Sequence, residues 1–313
     1  MKQLEVINFI RTHPDWEQIL SGPPYFIQIK WGEKLFEGLV LLKYNQIDSD
    51  FSIRIVQECR GLILDSRDDW RVVRLSFEKF FNYGESNAAN IDWSTARVQA
   101  KIDGSLISTW WWPREKAWIV STNGTINAYD TKVASQSDTF LDDVDMTFGE
   151  VFDEACEKQN FDWGALKPGC TYTFELVSPY SRVVVPYPES KIYHLATRNN
   201  NTLEEFVDDI GIEKPKEYPL HSLDATIKAA GALNKEGTAI NDEGFVVVDG
   251  NWHRIKIKSP LYLTAAYMVN KKLTIRRALD ITLAGERDEF LSYFPSSVEA
   301  FDELDKLIDR IVE

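Results

Sequence analysis

Short β-rich runs, separated by Gly, Asn and Asp turns, fill most of this chain between Pro24 and Ser259. Runs of this kind, bounded by turn residues, predict strands that pair with their neighbours, mainly antiparallel. We expect helices over residues 1–20, 145–160, 202–210 and 221–235. The runs that predict strands include "RIVQECRGLILDS", "WRVVRLSF", "RVQAKIDGSLISTWWW", "AWIVSTNGTI", "CTYTFELVS", "KIYHLATRN", "EGFVVVDG" and "HRIKIKS".

The pattern changes after Pro260. The segments "LTAAYMVNKKL", "IRRALDITLAG" and "SVEAFDELDKLIDRIVE" have helical periodicity. The sequence therefore predicts an α+β protein with two domains, a mainly antiparallel β domain with flanking helices over 1–259 and a small all-α domain over 260–313. The tail carries both signs of charge, which favours a packed helical bundle with a solvated face. Substrate selection is the alternative role for it.

Charge and cysteine content limit the partners and the compartment. The 313 residues include 35 basic and 49 acidic side chains, a net charge of −14. An acidic chain is a poor non-specific binder of nucleic acid, so any such partner requires the basic residues to be concentrated in one cleft. The 3 cysteines form neither a metal pattern nor a disulfide framework. We expect a cytoplasmic protein, or one of the host cytoplasm if it is viral, with no membrane segment.

Seven charged residues lie inside apolar runs, where charges are rarely buried unless paired or used. They are Arg60, Lys79, Lys101, Glu175, Glu243, Lys256 and Lys258. A single residue of this kind is more often a strand-edge or salt-bridged residue, but the whole set indicates a functional site. By the period-two rule, Lys256 and Lys258 share one strand face, and Lys101 and Asp103 share another.

This set of side chains predicts a site for a triphosphate and a divalent metal. Carboxylates bind hard cations through oxygen, and lysines balance charge on phosphates. The sequence contains no G-x-x-x-x-G-K-[ST] motif, so the phosphates are not held as in a P-loop ATPase. A lysine in this setting is therefore a candidate nucleophile.

The motif "KIDGS" at Lys101 resembles the K-x-D-G nucleotidyltransferase motif of ATP-dependent nucleic-acid ligases and capping enzymes. The runs "FELVSPYSRVVVPY", "IYHLATRN", "EGFVVV" and "KIKS" follow in the order and spacing of the later ligase motifs. Upstream, "ECRGLIL" and "FEKFFNYGE" resemble the bacteriophage RNA ligase 1 type, the tRNA-repairing RNA ligases. The resemblance spans about residues 35–260 and implies an ATP-grasp-like ligase adenylation domain.

The resemblance implies an ATP-dependent RNA ligase that acts in three steps. Lys101 attacks the α-phosphate of ATP, AMP moves from the lysine to a 5′-phosphate RNA end, and a 3′-hydroxyl then displaces AMP. The expected cofactors are ATP and Mg²⁺ (or Mn²⁺). The expected partner is RNA with 5′-phosphate and 3′-hydroxyl ends, single-stranded or tRNA-like, and the enzyme is expected to be a monomer.

The same resemblance assigns roles to individual residues. Glu175 would accept a hydrogen bond from a ribose hydroxyl. Glu243 would bind the metal, and Asp103 is a second candidate, whose side chain turns toward a metal or a backbone donor. Tyr193 would stack on adenine, with Ile192 and His194 as alternatives in register. Gly104 would let the backbone approach the nucleotide, or form a simple turn. The remaining assignments are Lys256 and Lys258 to the phosphates, Arg60, Lys79 and Phe81 to ATP and RNA ends, and Arg182 and Arg198 to the RNA end.

One position departs from the family pattern. Asn123 in "STNGTI" stands where a basic residue usually precedes a Gly-Ser or Gly-Thr pair. Either Arg114 or Lys116 substitutes for that charge, or the ATP contact there is weaker. "NG" is also a plain hairpin turn. Two other functions stay open, a DNA-nick ligase or capping-type transferase, and a catalytically silent nucleotide- or RNA-binding protein.

Overall fold

The computed structural model describes residues 3–133, 145–234, 240–269, 275–283, 287 and 298–312. The chain divides into two compact units, each built from two separate stretches of sequence. Unit 1 comprises Met1–Phe80 and Ile102–Lys216, and unit 2 comprises Phe81–Lys101 and Glu217–Glu313. The chain therefore passes from unit 2 to unit 1 directly after Lys101, within the K-x-D-G motif.

Unit 1 contains two sheets with antiparallel pairing throughout. The first has the order β1-β2-β3-β4, with β1 Ile27–Trp31, β2 Leu39–Tyr44, β3 Arg60–Asp65 and β4 Arg71–Arg74. The second has the order β11-β10-β9-β7-β8, with β7 Ser105–Trp112, β8 Ala117–Thr122, β9 Cys170–Val177, β10 Lys191–Asn199 and β11 Glu205–Phe206. The helices of this unit are α1 Glu5–Thr12, α2 Trp16–Ser21, α3 Arg54–Glu58 and α4 Phe148–Lys158.

The side chains of β9 point alternately into the core and to the accessible face of the sheet. Phe174 and Leu176 are fully buried in one core cluster with Phe152 of α4. Because neighbouring residues of a strand point to opposite faces, Glu175 lies on the other face of the sheet. The apolar core thus holds the strand while the carboxylate stays accessible.

Unit 2 is built on one sheet of order β12-β6-β13-β14-β5. Its strands are β5 Phe81–Asn82, β6 Arg97–Lys101, β12 Glu217–Tyr218, β13 Gly244–Val248 and β14 Arg254–Lys258. The β5–β14 pair is parallel and the others are antiparallel. The described helices are α5 Leu223–Ala232, α6 Pro260–Val269, α7 Ile275–Leu283 and α8 Val298–Val312. Phe245, Val247, Ile255 and Ile257 form the core with Ala230 of α5.

The predicted class, mixed α+β with mainly antiparallel sheets, is confirmed. The helices predicted at 145–160 and 221–235 are present as α4 and α5. The helix predicted over 202–210 is wrong, because Glu205–Phe206 forms β11 and pairs with the edge of β10. The run "RIVQECRGLILDS" also begins with helix α3 before β3. Both differences arise from packing that local propensity does not contain.

The segment after Pro260 contains helices, as its periodicity predicts, and it belongs to unit 2. A separate domain over 260–313 stays a prediction. Within the described part of the chain, every helix is too short or too polar to cross a bilayer.

Candidate active site

Three charged side chains of unit 2 meet at one end of its sheet. Lys101 is the last residue of β6, and its Nζ lies 2.6 Å from Oε2 of Glu243. Nζ of Lys258, the last residue of β14, lies 3.6 Å from the other carboxylate oxygen of Glu243. The Glu243 side chain is only 5% exposed, whereas those of Lys101 and Lys258 are 19% and 24% exposed. A buried carboxylate thus lies between two partly accessible ammonium groups.

Gly244 produces this arrangement. It pairs with Lys101 on one side and with Lys258 on the other, so the two lysines flank the first residue of β13. Its φ of +148° favours glycine, and a Cβ atom would overlap the carbonyl oxygen of Ile257. The glycine thus permits a close contact between neighbouring strands.

The prediction that Lys256 and Lys258 share a face is confirmed. Along β14, Ile255 and Ile257 are buried while Arg254, Lys256 and Lys258 are partly exposed. Two ammonium groups on one accessible face are suited to contact successive phosphates.

The predicted common face of Lys101 and Asp103 is wrong, because β6 ends at Lys101 and the two residues belong to different units. In unit 1, Oδ2 of the buried Asp103 accepts hydrogen bonds from the backbone N–H groups of Val184 and Val185, at 2.8 and 2.7 Å. Of the two orientations considered, the structure shows the one toward backbone donors. Asp103 thereby anchors the "SPYSRVVVPY" segment.

Glu175 and Tyr193 of unit 1 are directly paired across β9 and β10. Paired residues of antiparallel strands have Cβ atoms roughly 5 Å apart on the same face. Ile192 and His194 are fully buried and lie against Tyr172 and Phe174. Of the three candidates for adenine stacking, Tyr193 is therefore the one with an accessible side chain.

Gly104 makes a different close approach from the one predicted. A Cβ atom at this position would overlap the carbonyl oxygen of Leu176 and lie 3.1 Å from Cγ of Glu175. Because Gly104 has no side chain, the backbone directly after Asp103 can pack against β9.

The upstream candidates are also distributed between the units. In unit 1, Arg60 starts β3 and its guanidinium lies 4.8 Å from the ring centroid of Phe77. The ammonium of Lys79 lies 4.0 Å from the centroid of Phe51. Phe81 belongs to unit 2, where it is buried in β5 and pairs with Ile255.

Arg182 and Arg198, the candidates for RNA-end contacts, differ in accessibility. Arg182 is exposed, and its Nε donates to the carbonyl of Val184. Arg198 is 8% exposed and pairs with Glu205, which is 3% exposed, at 2.9 Å. A buried, paired guanidinium is less accessible to a ligand than an exposed one, and contact of Arg198 with the RNA end stays a prediction.

The turn at Asn123 is surrounded by cations that sequence reasoning missed. Oδ1 of Asn123 accepts from the fully buried Arg74 at 3.0 Å, and burial together with the charge of Arg60 lowers the pKa of Arg74 to about 9. Lys30 donates to the carbonyl of Gly124 at 2.7 Å, and a Cβ on Gly124 would lie 3.5 Å from Nζ of Lys43.

Lys43 is half-buried and pairs with Arg60 across β2 and β3. Its pKa is lowered by burial and by the charge of Lys30. By contrast, Arg114, a predicted substitute for the missing charge, pairs with Asp65 at 3.3 Å. No local sequence signal links β1 or β2 to residue 123.

Of the two carboxylates predicted to bind a metal, Glu243 is suited to a cation that binds together with phosphate. Among the residues that the structure describes, no three His, Cys, Asp or Glu side chains are grouped as metal ligands. Mg²⁺ is commonly held by one or two carboxylates together with substrate phosphates and water. Glu243, which is buried beside two lysines, matches that donor set, whereas Oδ2 of Asp103 is already bonded to two backbone N–H groups.

The family model described as RNA ligase matches residues 58–262 of this chain. That range contains the motif at Lys101, the candidate carboxylates Asp103, Glu175 and Glu243, and the two lysines of β14.

Two curated proteins are similar in sequence. The "Putative bifunctional polynucleotide kinase/RNA ligase" of Autographa californica nuclear polyhedrosis virus is 32% identical over 278 residues, covering 82% of this chain and 38% of the viral protein. The "RNA ligase" of Rhodothermus phage RM378 is 26% identical over 290 residues, covering 74% of this chain and 65% of the phage protein. The chain thus spans less than two thirds of either relative.

Two solved structures share the fold. An archaeal ATP-dependent RNA ligase matches with a TM-score of 0.53 at 14% identity, covering 96% of this chain and 78% of that one. A structure named "Putative ATP-dependent DNA ligase from Aquifex aeolicus" matches with a TM-score of 0.52 at 12% identity, covering 95% and 79%. The fold is therefore shared with a structure named as an RNA ligase and with one named as a putative DNA ligase.

Proposed function

This chain belongs to the RNA ligase family, and from that premise we propose that it joins the 5′-phosphate of one RNA end to the 3′-hydroxyl of another at the expense of ATP. The observation that supports this proposal most directly is the group of Lys101, Glu243 and Lys258 around Gly244, inside the range that matches the family.

In the first proposed step, the neutral amine of Lys101 attacks the α-phosphorus of ATP. An N–P bond forms, the bond to the β-phosphate oxygen breaks, and pyrophosphate leaves. A free lysine has a pKa near 10.4, so at neutral pH it must lose a proton to act. Lys256 and Lys258 would hold the phosphates on their shared face.

A divalent cation bound with the triphosphate would supply positive charge at the phosphates and beside Glu243. Both Mg²⁺ and Mn²⁺ are compatible with oxygen ligands of this kind. Glu243 is the residue of unit 2 that we assign to this cation.

In the later steps, AMP passes from Lys101 to the 5′-phosphate, and the 3′-hydroxyl then attacks that phosphate and releases AMP. In unit 1, we assign Glu175 to a ribose hydroxyl and Tyr193 to the adenine face, which their side-by-side placement supports. Arg60, Lys79 and Arg182 are assigned to phosphate groups of ATP or the RNA end.

We also propose that Lys43 and Lys30 supply positive charge at the Asn123 turn, in place of the neighbours first considered there. Both lysines lie beside Gly124, and Lys43 is paired with Arg60. The proposal also includes the two domains, an adenylation domain over 1–259 and a helical domain over 260–313. We further propose that the substrate is single-stranded or tRNA-like and that the protein is a monomer located in the cytoplasm.

The test follows AMP and RNA in the same preparation. Wild-type protein given ATP labelled at the α-phosphate and Mg²⁺ should retain an acid-labile label, and it should then circularise or join 5′-phosphorylated single-stranded RNA. Lys101→Ala should abolish both reactions, whereas Lys228→Ala, which removes an exposed lysine of α5, should leave both intact. Labelling without RNA joining, or preferential sealing of nicked duplex DNA, would contradict the proposed substrate. Absence of label on the wild-type protein would contradict the mechanism.

A further inference from the structure

One face of the unit 2 sheet carries a row of cations that extends away from Lys101. The register of β6, β13 and β14 places residues in three cross-strand rows, which are Lys101–Gly244–Lys258, Gln99–Val246–Lys256 and Arg97–Val248–Arg254. Because directly paired residues share a face, Lys101, Lys258, Lys256, Arg97 and Arg254 all lie on the same side. The opposite side is the buried apolar core with α5.

This concentration of positive charge contrasts with the net charge of −14 for the whole chain. Two carboxylates adjoin this face. Glu243 contacts Lys101 and Lys258, and the exposed Glu217 of the edge strand β12 pairs with Gln99 and lies 3.5 Å from Arg97. A basic strip on an acidic protein is complementary to a polyanion and unsuited to a basic partner.

An indole lies at the end of the strip that is distant from Lys101. Trp252 is in the turn between β13 and β14, half-buried, with the guanidinium carbons of Arg97 and Arg254 at 5.5 and 5.6 Å from its ring centroid. An aromatic ring between cations is the arrangement with which proteins bind single-stranded nucleic acid, through base stacking and phosphate contacts.

The backbone of this turn holds the indole in place. Trp252 has a φ of +67°, a conformation that costs about 1–3 kcal/mol for a residue other than glycine. The buried Asp249 maintains it by accepting hydrogen bonds from the N–H groups of Asn251 and His253, at 2.9 and 3.0 Å.

The spacing suits a nucleic-acid strand that begins at the nucleophile. Arg97 and Lys101 are four residues apart on one strand, which corresponds to roughly 13 Å at the usual rise of a β-strand. A strand with its end at Lys101 would pass Gln99 and Lys256 and reach Trp252 within a few nucleotides.

We propose that this face binds the RNA strand whose end reacts at Lys101, with Trp252 stacking on a base and Arg97 and Arg254 contacting the adjacent phosphates. The inference rests on the proposed function for the identity of the strand, but its test requires no catalysis. Binding is measured without ATP, by fluorescence anisotropy, with a 12-nucleotide 5′-phosphorylated RNA labelled at its 3′ end.

Trp252→Ala should weaken RNA binding about 5- to 100-fold, the range for loss of one base–aromatic stack, and Trp252→Phe should restore most of it. The double variant Arg97→Ala/Arg254→Ala should reduce the slope of log K against log salt by about 1.4, as expected for two phosphate contacts on a single strand. The matched controls lie in unit 1. They are Trp31→Ala, at an indole that is 43% exposed, and Arg67→Ala, at a guanidinium that is 46% exposed, and both should bind as wild type.

Three results would overturn this inference. They are wild-type protein that does not bind the RNA, Trp252→Ala protein that melts as wild type and binds equally well, and Trp31→Ala protein that is weakened as much as Trp252→Ala. If Trp252→Ala does not fold, Trp252→Phe and the double arginine variant report on the same surface. Failure of the proposed ligase function is read separately, from the absence of labelled AMP on the wild-type protein.

Discussion

Nζ of Lys101 lies 2.6 Å from Oε2 of Glu243, although the two residues are 142 positions apart in the chain. Because Nζ of Lys258 lies 3.6 Å from the other oxygen, one buried carboxylate contacts two lysines. Lys101 is proposed as the nucleophile, and Lys258 is proposed to bind the phosphates. The register at Gly244 thus brings the three side chains together.

Glu243→Gln should lower the rate of Lys101 adenylation about 10- to 100-fold, because the amide removes the negative charge that holds both lysines and is assigned to the metal. The rate is measured from labelled AMP retained per minute at saturating ATP and Mg²⁺. Glu217→Gln, which removes an exposed carboxylate from the edge strand β12 of the same sheet, should adenylate at the wild-type rate. A wild-type rate for Glu243→Gln would remove Glu243 from the mechanism.

Gly244→Ala should destabilise the protein by about 2 kcal/mol or more, because its Cβ would overlap the carbonyl of Ile257 at an unfavourable φ. The measurement is the urea midpoint of unfolding. Gly231→Ala is the matched control, since no heavy atom lies within 4 Å of a Cβ there and alanine favours a helix by about 0.5–1 kcal/mol. If both variants were equally stable, the strand contact at Gly244 would not be restrictive.

Lys43→Ala should raise the ATP concentration for half-maximal adenylation about 3- to 10-fold, as expected for loss of one charge-assisted contact. The reason is its position beside Gly124 and Arg60. Lys116→Ala tests the neighbour that the sequence suggested, an exposed lysine beyond β7, and should leave this concentration unchanged. If Lys116→Ala raised this concentration and Lys43→Ala did not, Lys116 would be the residue that supplies the charge at the Asn123 turn.

Asp103→Ala should destabilise the protein by about 1–3 kcal/mol and reduce adenylation, because two buried backbone N–H groups would lose their acceptor. Asp103→Asn keeps an acceptor oxygen and should retain most of the stability. Thermal melting and AMP labelling of the two variants distinguish an anchoring carboxylate from a dispensable one. If the adenylation of Asp103→Asn matches wild type across pH, the charge of Asp103 has no part in catalysis.

Stability should fall as the pH is lowered from about 6.5 to 4. Burial, followed by the charge of Lys214, lowers the pKa of His194 to about 4. Between these values the unfolded chain binds a proton at this histidine and the folded chain does not, so unfolding becomes easier by up to about 3 kcal/mol. Urea unfolding at pH 7.5, 5.5 and 4.5 measures this change. His194→Phe should make the dependence shallower, whereas removal of the exposed His221 should not.

The pattern of neighbouring residues in the sequence determined most of the strands and the identity of the candidate site residues. The β-rich runs appear as strands, because alternation depends only on neighbouring residues and on the two faces of a strand. The same rule placed Lys256 and Lys258 together correctly. The motif around Lys101, and the charged residues within apolar runs, identified candidate residues from position alone.

Only the tertiary structure decided which of these residues meet. It paired Lys101 with Glu243 and Lys258 through the register at Gly244, directed Asp103 to the N–H groups of Val184 and Val185, and buried Arg198 against Glu205. It also brought Lys30 and Lys43 to the Asn123 turn. The physical reason is that strand register and sheet order join residues far apart in the chain, and no local pattern specifies those contacts.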